Sequence, residues 1–519
     1  MIRPPRKSQG FSSKAEIQTP TKNSKSLILK DAQAKQADSY IAEGRLKEAE
    51  EICLALIKAS TKNHSIYANL AVIRGIQGRH HEARDLIKQA IILDPLKPES
   101  YYNLGITYEK LGDPKSAIKA YKQSLELDPD DAETHINLGN AFAENDNADH
   151  AVLHYKLAVN LNPKNPEAYI NLGNMQTKQG AIHDAIKTYK EAISIDPQNP
   201  EPHWNYSLTL LLSGNFQAGW EEYEWRTKRD NEIYKVHADP KCNRWDGNTL
   251  TSCTNKQLLL VAEQGLGDTL QFMRYMTAFK DQGIYASICA HPKLHPLIKA
   301  SGISNSPLSP IEGSRVTEGS WLPLLSAPKH LGVNPKNPVI DAPYIKASKE
   351  LLEKWKSILS IESKPIIGIN WQGNPNSEKT GLKGRSLPLK AFSKIASKKD
   401  ISLLSLQKGF GSEQLEKCSF KESFVESQCL INETWDFLET AAIIANCDLI
   451  ITSDTAVAHL AGGLGKPTWL LLHKVPDWRW GIEGDTTFWY PSMRLFRQRK
   501  HGDWNEVMRR VNDCLKTYF

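Results

Sequence analysis

A period of 34 residues runs through the first half of the chain and constrains its fold more than any other feature. Four kinds of residue recur in register at this spacing: an aromatic or His residue, an Asn two positions later, a Gly and a Pro. These columns are Tyr67, Tyr101, His135, Tyr169 and His203; Asn69, Asn103, Asn137, Asn171 and Asn205; Gly78, Gly112, Gly180 and Gly214, with Asp146 in the third repeat; and Pro95, Pro129, Pro163 and Pro197. Gly permits a positive φ between two helices and Pro ends the second helix, so the period predicts a stack of helical hairpins.

The columns resemble the tetratricopeptide repeat, a helical hairpin of the same length. A weaker copy covers about 33–66, where Gly44 and Ala49 fit but Thr61 occupies the Pro column, and the unit from His203 is predicted to be a terminal cap. We therefore expect an array of about five to six repeats over residues 31–232, with a protein or peptide acceptor on its concave face. The Asn column either forms a ladder that grips a peptide backbone or satisfies local hydrogen bonds. Asp128, Asp130 and Asp131 form a D-x-D-D string, which we interpret as a solvated turn between repeats.

Charge and composition restrict the class of protein. Residues 1–30 hold seven Lys or Arg against Glu16 and are expected to form a disordered basic tail, which accounts for the chain's net charge of +6. The remainder is nearly neutral, so a nucleic-acid partner is not expected. Neither a membrane span nor a signal peptide is evident. The eight cysteines contain no C-x-x-C pair, which favours reduced thiols in a cytoplasmic protein.

After about residue 255 short apolar runs alternate with helical stretches, which is typical of a parallel α/β sheet. Strands are predicted near 258–262, 284–290, 365–371, 401–407, 448–452 and 468–472. A segment at 302–345 carries little periodic signal, and a helix near 348–360 follows it. We expect one lobe at 255–345, a second at 346–519, and a ligand beyond the carboxyl ends of the strands.

The segment from Ile451 to Pro467 is the most informative part of the second lobe. Asp454 and Thr455 follow a strand and are predicted to cap a helix whose free amides could hold a phosphate, with His459 one turn on and Lys466 at the far end. An ordinary capped helix with a packed His is the alternative. The D-T-x-x-x-H string resembles the donor-pyrophosphate motif of the ADP-heptose:lipopolysaccharide heptosyltransferase family. The third residue of that motif is usually Gly, and in this chain it is Ala456.

The first lobe offers a second match to that family. Gln264, Gly265, Gly267 and Asp268 follow the first strand, and the resemblance implies that Asp268 is the catalytic base. A helix N-cap is the alternative role for Asp268. A dinucleotide-binding fingerprint fits less well, because Leu270 stands where the third Gly would be.

Cations and aromatic residues complete the predicted donor site. The resemblance implies that a cation follows the second lobe's first strand, where Arg385 is the closest match and Lys383 lies nearby, although solvated loop cations are an alternative. Trp478 could stack on a base or a sugar, or pack between the lobes.

The expected fold class is α + α/β, in which an all-α tetratricopeptide solenoid precedes a two-lobed Rossmann-like GT-B domain. Repeats with such a domain also resemble the layout of the protein O-GlcNAc transferases. The resemblance implies an inverting, metal-independent glycosyltransferase that uses a nucleotide sugar as substrate and no cofactor. The alternative is a non-catalytic scaffold whose GT-B domain has degenerated or only senses a nucleotide sugar.

Overall fold

The computed structural model describes residues 22–229, 235–247, 257–339, 343–379 and 384–519. Contacts divide the chain into two compact units, Met1–Gln198 and Asn199–Phe519. Of the predicted tail, residues 1–21 lie outside the described residues, whereas 22–30 belong to the first helix. Within the described ranges, every helix is too short or too polar to span a lipid bilayer.

The first unit consists of helical hairpins over its described residues. Its helices are α1 (Lys22–Ala42), α2 (Leu46–Lys58), α3 (His64–Ile76), α4 (His80–Leu93), α5 (Pro98–Lys110), α6 (Pro114–Leu127), α7 (Ala132–Glu144), α8 (Ala148–Leu161), α9 (Pro166–Gln179) and α10 (Ile182–Ile195). The Gly column lies in the turns within the hairpins at φ values of 73° to 84°, and Asp146 takes φ 56° in the same place. The predicted reason for that Gly column is therefore confirmed.

A second set of small residues keeps the two helices of a hairpin close together. A methyl group added to Gly105, Gly139 or Gly173 would lie 2.4 to 2.6 Å from a ring carbon of the Tyr sixteen positions later. In the hairpin of α3 and α4, Ala71 and the smaller Ile87 occupy these two positions. Side-chain volume is thus balanced within each hairpin, as close packing requires.

The Asn column mainly joins neighbouring hairpins. The side-chain amides of Asn69, Asn137 and Asn171 donate to Asp38, Tyr102 and Asn140, each on the first helix of the preceding hairpin. Asn69 is fully buried. A peptide-gripping role is therefore wrong for Asn69, and these contacts are between repeats rather than local.

The second unit begins with a helical hairpin and continues as two parallel sheets with helices around them. Its helices are α11 (Pro200–Leu212), α12 (Phe216–Tyr223), α13 (Leu266–Phe272), α14 (Tyr275–Asp281), α15 (His295–Ala300), α16 (Pro310–Gly313), α17 (Ala327–Leu331), α18 (Lys349–Leu359), α19 (Pro375–Lys379), α20 (Ser393–Ala396), α21 (Gln428–Glu433), α22 (Phe437–Ala445), α23 (Ala456–Gly463) and α24 (Trp504–Leu515). Its strands are β1 (Asn243–Arg244), β2 (Gln257–Val261), β3 (Tyr285–Cys289), β4 (Ser320–Pro323), β5 (Ile366–Asn370), β6 (Ser402–Ser405), β7 (Leu449–Ser453), β8 (Thr468–Leu472) and β9 (Met493–Arg497).

The strand order is β1-β4-β2-β3 in the first sheet and β6-β5-β7-β8-β9 in the second, and all the pairings are parallel. Residues of β5 to β8 are buried throughout, as expected for strands covered on both faces. Strands β1, β4 and β9 were not predicted from the sequence. The predicted helix after the first strand is two helices, α13 and α14.

The hairpin of α11 and α12 packs against the first sheet, which differs from the predicted array boundary near 232. The Trp220 indole donates to the Val333 carbonyl at 2.7 Å. The fully buried Arg226 guanidinium, in a 3₁₀ turn after α12, binds the buried Glu263 carboxylate at 3.0 and 2.8 Å. Aromatic and charged contacts therefore place this hairpin with the α/β unit, although its columns follow the repeat.

Candidate active site

The loop after β2 turns sharply and then begins α13. Gln264 takes a positive φ of 59°, its side chain donates to the Tyr223 hydroxyl at 3.3 Å, and its carbonyl contacts His237. Gly265 is the N-cap, and its amide donates to Oδ2 of Asp268 at 2.9 Å. Asp268 thus stabilises the start of the helix, and 19% of its side chain remains exposed to solvent.

Arg479 connects this loop to the second lobe. Its Nη2 donates to Oδ1 of Asp268, its Nη1 donates to Asp477 at 2.8 Å and its Nε donates to Gln271 at 2.6 Å. Burial raises the pKa of the Asp268 carboxyl above its ordinary value, although the Arg479 cation opposes that shift. The carboxyl group is therefore a better proton acceptor than an exposed aspartate.

The corresponding loop of the second lobe follows β7. Thr455 is the N-cap residue of α23, but its hydroxyl makes no side-chain cap. The predicted cap is wrong, because the Thr455 hydroxyl donates instead to Oδ1 of Asn370 at 2.9 Å, at the end of β5. This bond ties the loop to the end of β5 and leaves the first amides of α23 without a side-chain acceptor. Free amides at a helix start favour the binding of an anion.

The two loops meet at Gly267. A methyl group on this residue would lie 3.4 Å from Cα of Ala456 and 3.1 Å from Cδ2 of His459. Glycine therefore permits the close approach of α13 to the beginning of α23. Asp268 and the helix start predicted to bind phosphate lie on two sides of one contact.

His459 is buried beneath this contact. Its Nδ1 lies 2.9 Å from the Tyr490 hydroxyl, and its ring stacks on Trp480 at 5.6 Å between centroids. Burial lowers the pKa of His459 well below its ordinary value, and the Arg479 and Arg274 cations lower it further. The imidazole is therefore neutral near pH 7.

Buried charges surround the carboxyl end of β7. Burial, and then the Asp477 carboxylate, raise the pKa of Asp454 to about 6, whereas the Arg385 and Arg479 cations lower it.

Arg385 lies against Gly373, and its Nε is 3.8 Å from the Glu378 carboxylate. The Nε atom of Arg385 and the hydroxyl of Ser453, the last residue of β7, have no hydrogen-bond partner among the described residues. Unpaired buried donors are unfavourable, so this cluster is suited to an anionic ligand.

Two of the predicted donor contacts, Lys466 and Trp478, are not brought to this cluster. Lys466 precedes β8 and therefore lies at the amino ends of the strands, opposite the site. Its Nζ donates to the carbonyl of Ala445 at the end of α22. Trp478 is buried and packs against Trp220 at 5.3 Å and Tyr223 at 6.0 Å, which favours its packing role. Lys383 lies outside the described residues.

Four residues of the site were missed by sequence reasoning: Asn370, Asp477, Arg479 and Tyr490. Asp477 and Arg479 belong to the run Asp-Trp-Arg-Trp, in which sequence reasoning weighed only the aromatic residues. The partners of Arg479 in the first lobe are more than 200 positions away. The density of charge and aromatic residues immediately after a buried strand was the available signal.

Comparisons with known proteins identify the repeats. Tetratricopeptide repeat models match residues 98–131 and 132–165, and a TPR repeat model matches residues 173–214. The chain therefore contains tetratricopeptide repeats. The chain is also similar to Protein FlbA of Caulobacter vibrioides, at 24% identity over 348 residues that cover 60% of this chain and 54% of FlbA. It thus spans about half the length of that curated relative.

Similar solved structures cover about a third of the chain. They include MamA (22% identity, 31% of this chain and 95% of that chain, TM-score 0.30) and YrrB, described as a TPR protein with an unusual peptide-binding site (19%, 33% and 89%, TM-score 0.30). PilF of Pseudomonas aeruginosa is similar at 14% identity over 38% of this chain and 89% of that chain, with a TM-score of 0.35. At these TM-scores we draw no functional conclusion from the similarity.

Proposed function

We propose that the second unit is a GT-B glycosyltransferase that transfers a sugar from a nucleotide-sugar donor to a protein or glycan acceptor. The observation that carries the proposal is the contact of Gly267 with Ala456 and His459. This contact brings a carboxyl group with a raised pKa beside a helix start that can bind phosphate.

The arrangement supports an inverting displacement. Asp268 accepts the proton of the acceptor hydroxyl while the oxygen of that hydroxyl forms a bond to the anomeric carbon. The bond between the anomeric carbon and the diphosphate oxygen breaks, and its electron pair leaves with the nucleoside diphosphate. Each carboxylate oxygen of Asp268 accepts one hydrogen bond from the protein, so each retains a lone pair for the incoming proton.

Charge stabilisation of the leaving group falls to the second lobe. The amides at the start of α23 and the Arg385 guanidinium supply donors for the diphosphate without a metal ion. Asp454 opposes this charge when it is ionised, but burial and Asp477 raise its pKa to about 6. An approaching diphosphate raises that pKa further, because a neighbouring like charge favours the protonated form.

The repeat array recruits the acceptor under this proposal. Tetratricopeptide repeats have no chemistry of their own and present a continuous surface to a partner chain. The described first helices of the array carry exposed or half-buried polar side chains on which a peptide could be held.

The substitution Asp268→Asn tests the catalytic assignment. Asn retains an acceptor for the Gly265 amide but cannot take the acceptor's proton, so we expect transfer to fall by at least about 100-fold. Calorimetry against UDP-, ADP- and GDP-sugars should give a donor Kd within about threefold of wild type. Release of the nucleoside diphosphate from the donor that binds then measures turnover.

Asp485→Asn is the matched control, because the Asp485 side chain is 66% exposed and its ion-pair partner in the described part of the chain is the surface residue Arg494, at 3.5 Å. It should leave both binding and turnover unchanged. Turnover by the Asp268→Asn variant at the wild-type rate would remove Asp268 from catalysis. Failure of every sugar nucleotide to bind wild type would remove the proposal itself.

A non-catalytic scaffold is the second candidate function, and the ion pair between Asp268 and Arg479 favours it. This pair, together with the bond from the Gly265 amide, gives the carboxylate a complete structural role without substrate. A scaffold that senses a nucleotide sugar would bind one donor of the panel and release no nucleotide with any acceptor protein. Measurable turnover that depends on Asp268 would exclude it.

A further inference from the structure

We propose that the Tyr490 hydroxyl fixes His459 as the tautomer with its proton on Nε2, so that a neutral N–H donor faces the phosphate-binding start of α23. Tyr490 is thus a positioning residue that acts through His459. The inference deepens the proposed function and rests on it for the identity of the anion, a phosphate group of a nucleoside diphosphate.

The direction of the hydrogen bond follows from the neighbours of the Tyr490 hydroxyl. Tyr344 lies beside it, but the Tyr344 hydroxyl donates its proton to the carbonyl of Leu270 at 2.7 Å and receives Nη2 of Arg274 at 3.2 Å. The Tyr490 hydroxyl therefore has two acceptors to choose from. Nδ1 of His459 lies at 2.9 Å and the Tyr344 oxygen at 3.5 Å.

Only one of these acceptors gives the Tyr490 proton a good hydrogen bond. Hydrogen bonds from hydroxyl groups are normally 2.5–3.0 Å long between oxygen atoms, and a 3.5 Å contact contributes little. If His459 donated from Nδ1 instead, the buried Tyr490 proton would be left with the long contact to Tyr344. Tyr490 is buried, so leaving its proton nearly unpaired is unfavourable.

The free edge of the His459 ring then faces the two loops. Cδ2, which is bonded to Nε2, is the ring atom nearest to the position of a methyl group on Gly267, at 3.1 Å. With Nδ1 accepting from Tyr490, Nε2 carries the proton of the neutral ring. A neutral donor at this point can bind a phosphate oxygen and adds no charge that would have to be buried in the free protein.

The nitrogen chemical shifts of the His459 ring in the full chain test the tautomer. The protein is labelled with ¹⁵N-histidine, and the His459 signals are identified by their loss in His459→Gln. Long-range ¹H–¹⁵N correlations should show a protonated Nε2 and an unprotonated Nδ1 in wild type. In Tyr490→Phe the Nδ1 signal should move towards the value of an imidazole nitrogen without a hydrogen bond. A protonated Nδ1 in wild type would overturn the inference and leave the proposed function intact.

The functional consequence is measured by calorimetry with UDP, ADP and GDP as probes. Tyr490→Phe should raise the Kd of the nucleotide that binds by roughly 3- to 10-fold, the effect of one hydrogen bond. Tyr275→Phe is the matched control, because the buried Tyr275 hydroxyl has no hydrogen-bond partner among the described residues. It should leave the Kd unchanged.

A double variant separates a positioning role from a merely structural one. Gln at position 459 keeps an amide donor but has no tautomers, so Tyr490→Phe should add no further loss of affinity in the His459→Gln background. Additive losses in the double variant would overturn the inference, and so would an unchanged Kd in Tyr490→Phe. If none of the three nucleotides binds wild type, the proposed function and the phosphate-donor role both fail, whereas the tautomer is settled by the nitrogen shifts alone.

Discussion

Replacing Arg226 by Met should destabilise the second unit by an amount that depends on pH. The Arg226 guanidinium and the Glu263 carboxylate are both fully buried and share two hydrogen bonds of 3.0 and 2.8 Å. Met preserves much of the volume of the Arg stem but removes the charge. The carboxylate is then buried without a counter-charge, a situation that costs about 3–5 kcal/mol in other proteins.

The pH dependence follows because an unpaired buried carboxylate takes up a proton. For a carboxyl group of ordinary pKa, about 4.3, protonation at pH 7.5 costs about 4 kcal/mol, at 1.36 kcal/mol per pH unit. At pH 5.5 the same step costs about 2 kcal/mol. In this window the folded variant binds a proton that the unfolded chain does not, so its stability relative to wild type falls as pH rises. We expect a loss of about 4 kcal/mol at pH 7.5 and about 2 kcal/mol at pH 5.5.

Urea unfolding followed by tryptophan fluorescence measures this effect in the intact chain. All 13 Trp residues lie within 199–519, so the signal reports on the second unit alone. Adding Glu263→Gln to Arg226→Met should remove most of the pH dependence, and the remainder should come from Glu224, which Arg226 also contacts at 3.0 Å. Arg494→Met, which breaks a surface ion pair of 3.5 Å with Asp485, should change stability by less than about 1 kcal/mol at either pH. An equal loss for Arg226→Met at both pH values, or a loss below about 1 kcal/mol, would refute the reasoning.

Two further substitutions probe the site and the array. Burial and Asp477 raise the pKa of Asp454 from an ordinary value of 3.8 to about 6. Between these two pH values the folded protein holds a proton that the unfolded chain has lost, so the stability of the wild-type protein falls as pH rises from 3.8 to about 6. Asp454→Asn should therefore be roughly 2–3 kcal/mol more stable than wild type at pH 8 and no more stable at pH 3.5, as measured by tryptophan fluorescence during urea unfolding; a less stable variant at pH 8 would show that attraction to Arg385 outweighs burial. Gly139→Ala should destabilise the array by about 1–3 kcal/mol, since its methyl group would lie 2.5 Å from the Tyr155 ring. Far-UV circular dichroism during urea unfolding checks this, and an unchanged or raised midpoint would contradict it.

The sequence predicted the array well because a repeat presents the same local rule several times. The Gly column required a positive φ, and even the exception, Asp146, adopts it. The boundary of the array was not readable, because the hairpin from His203 keeps the repeat columns. Its assignment to the second unit depends on Trp220, Arg226 and their distant partners Val333 and Glu263, which no local pattern reveals.

The site was predictable where it consists of a loop next to its own strand. Gly267, Asp268 and the residues from Asp454 to His459 are of this kind, and the structure brings them together. Arg479 was missed because its partners in the first lobe lie far away in the chain. Lys466 was included because it follows α23 closely in the chain. It precedes β8, however, so it lies at the amino ends of the parallel strands, opposite the site.

The α11–α12 hairpin has a consequence for how this protein can be rearranged by recombination. A gene segment encoding a transplantable α/β module has to start near codon 199, since a fragment cut after residue 232 would expose the surfaces that Trp220 and Arg226 cover. The α11–α12 hairpin must therefore be kept together with the two sheets whenever a different recognition array is joined to them. Shuffling of arrays between relatives should accordingly leave its junctions at the 198/199 boundary.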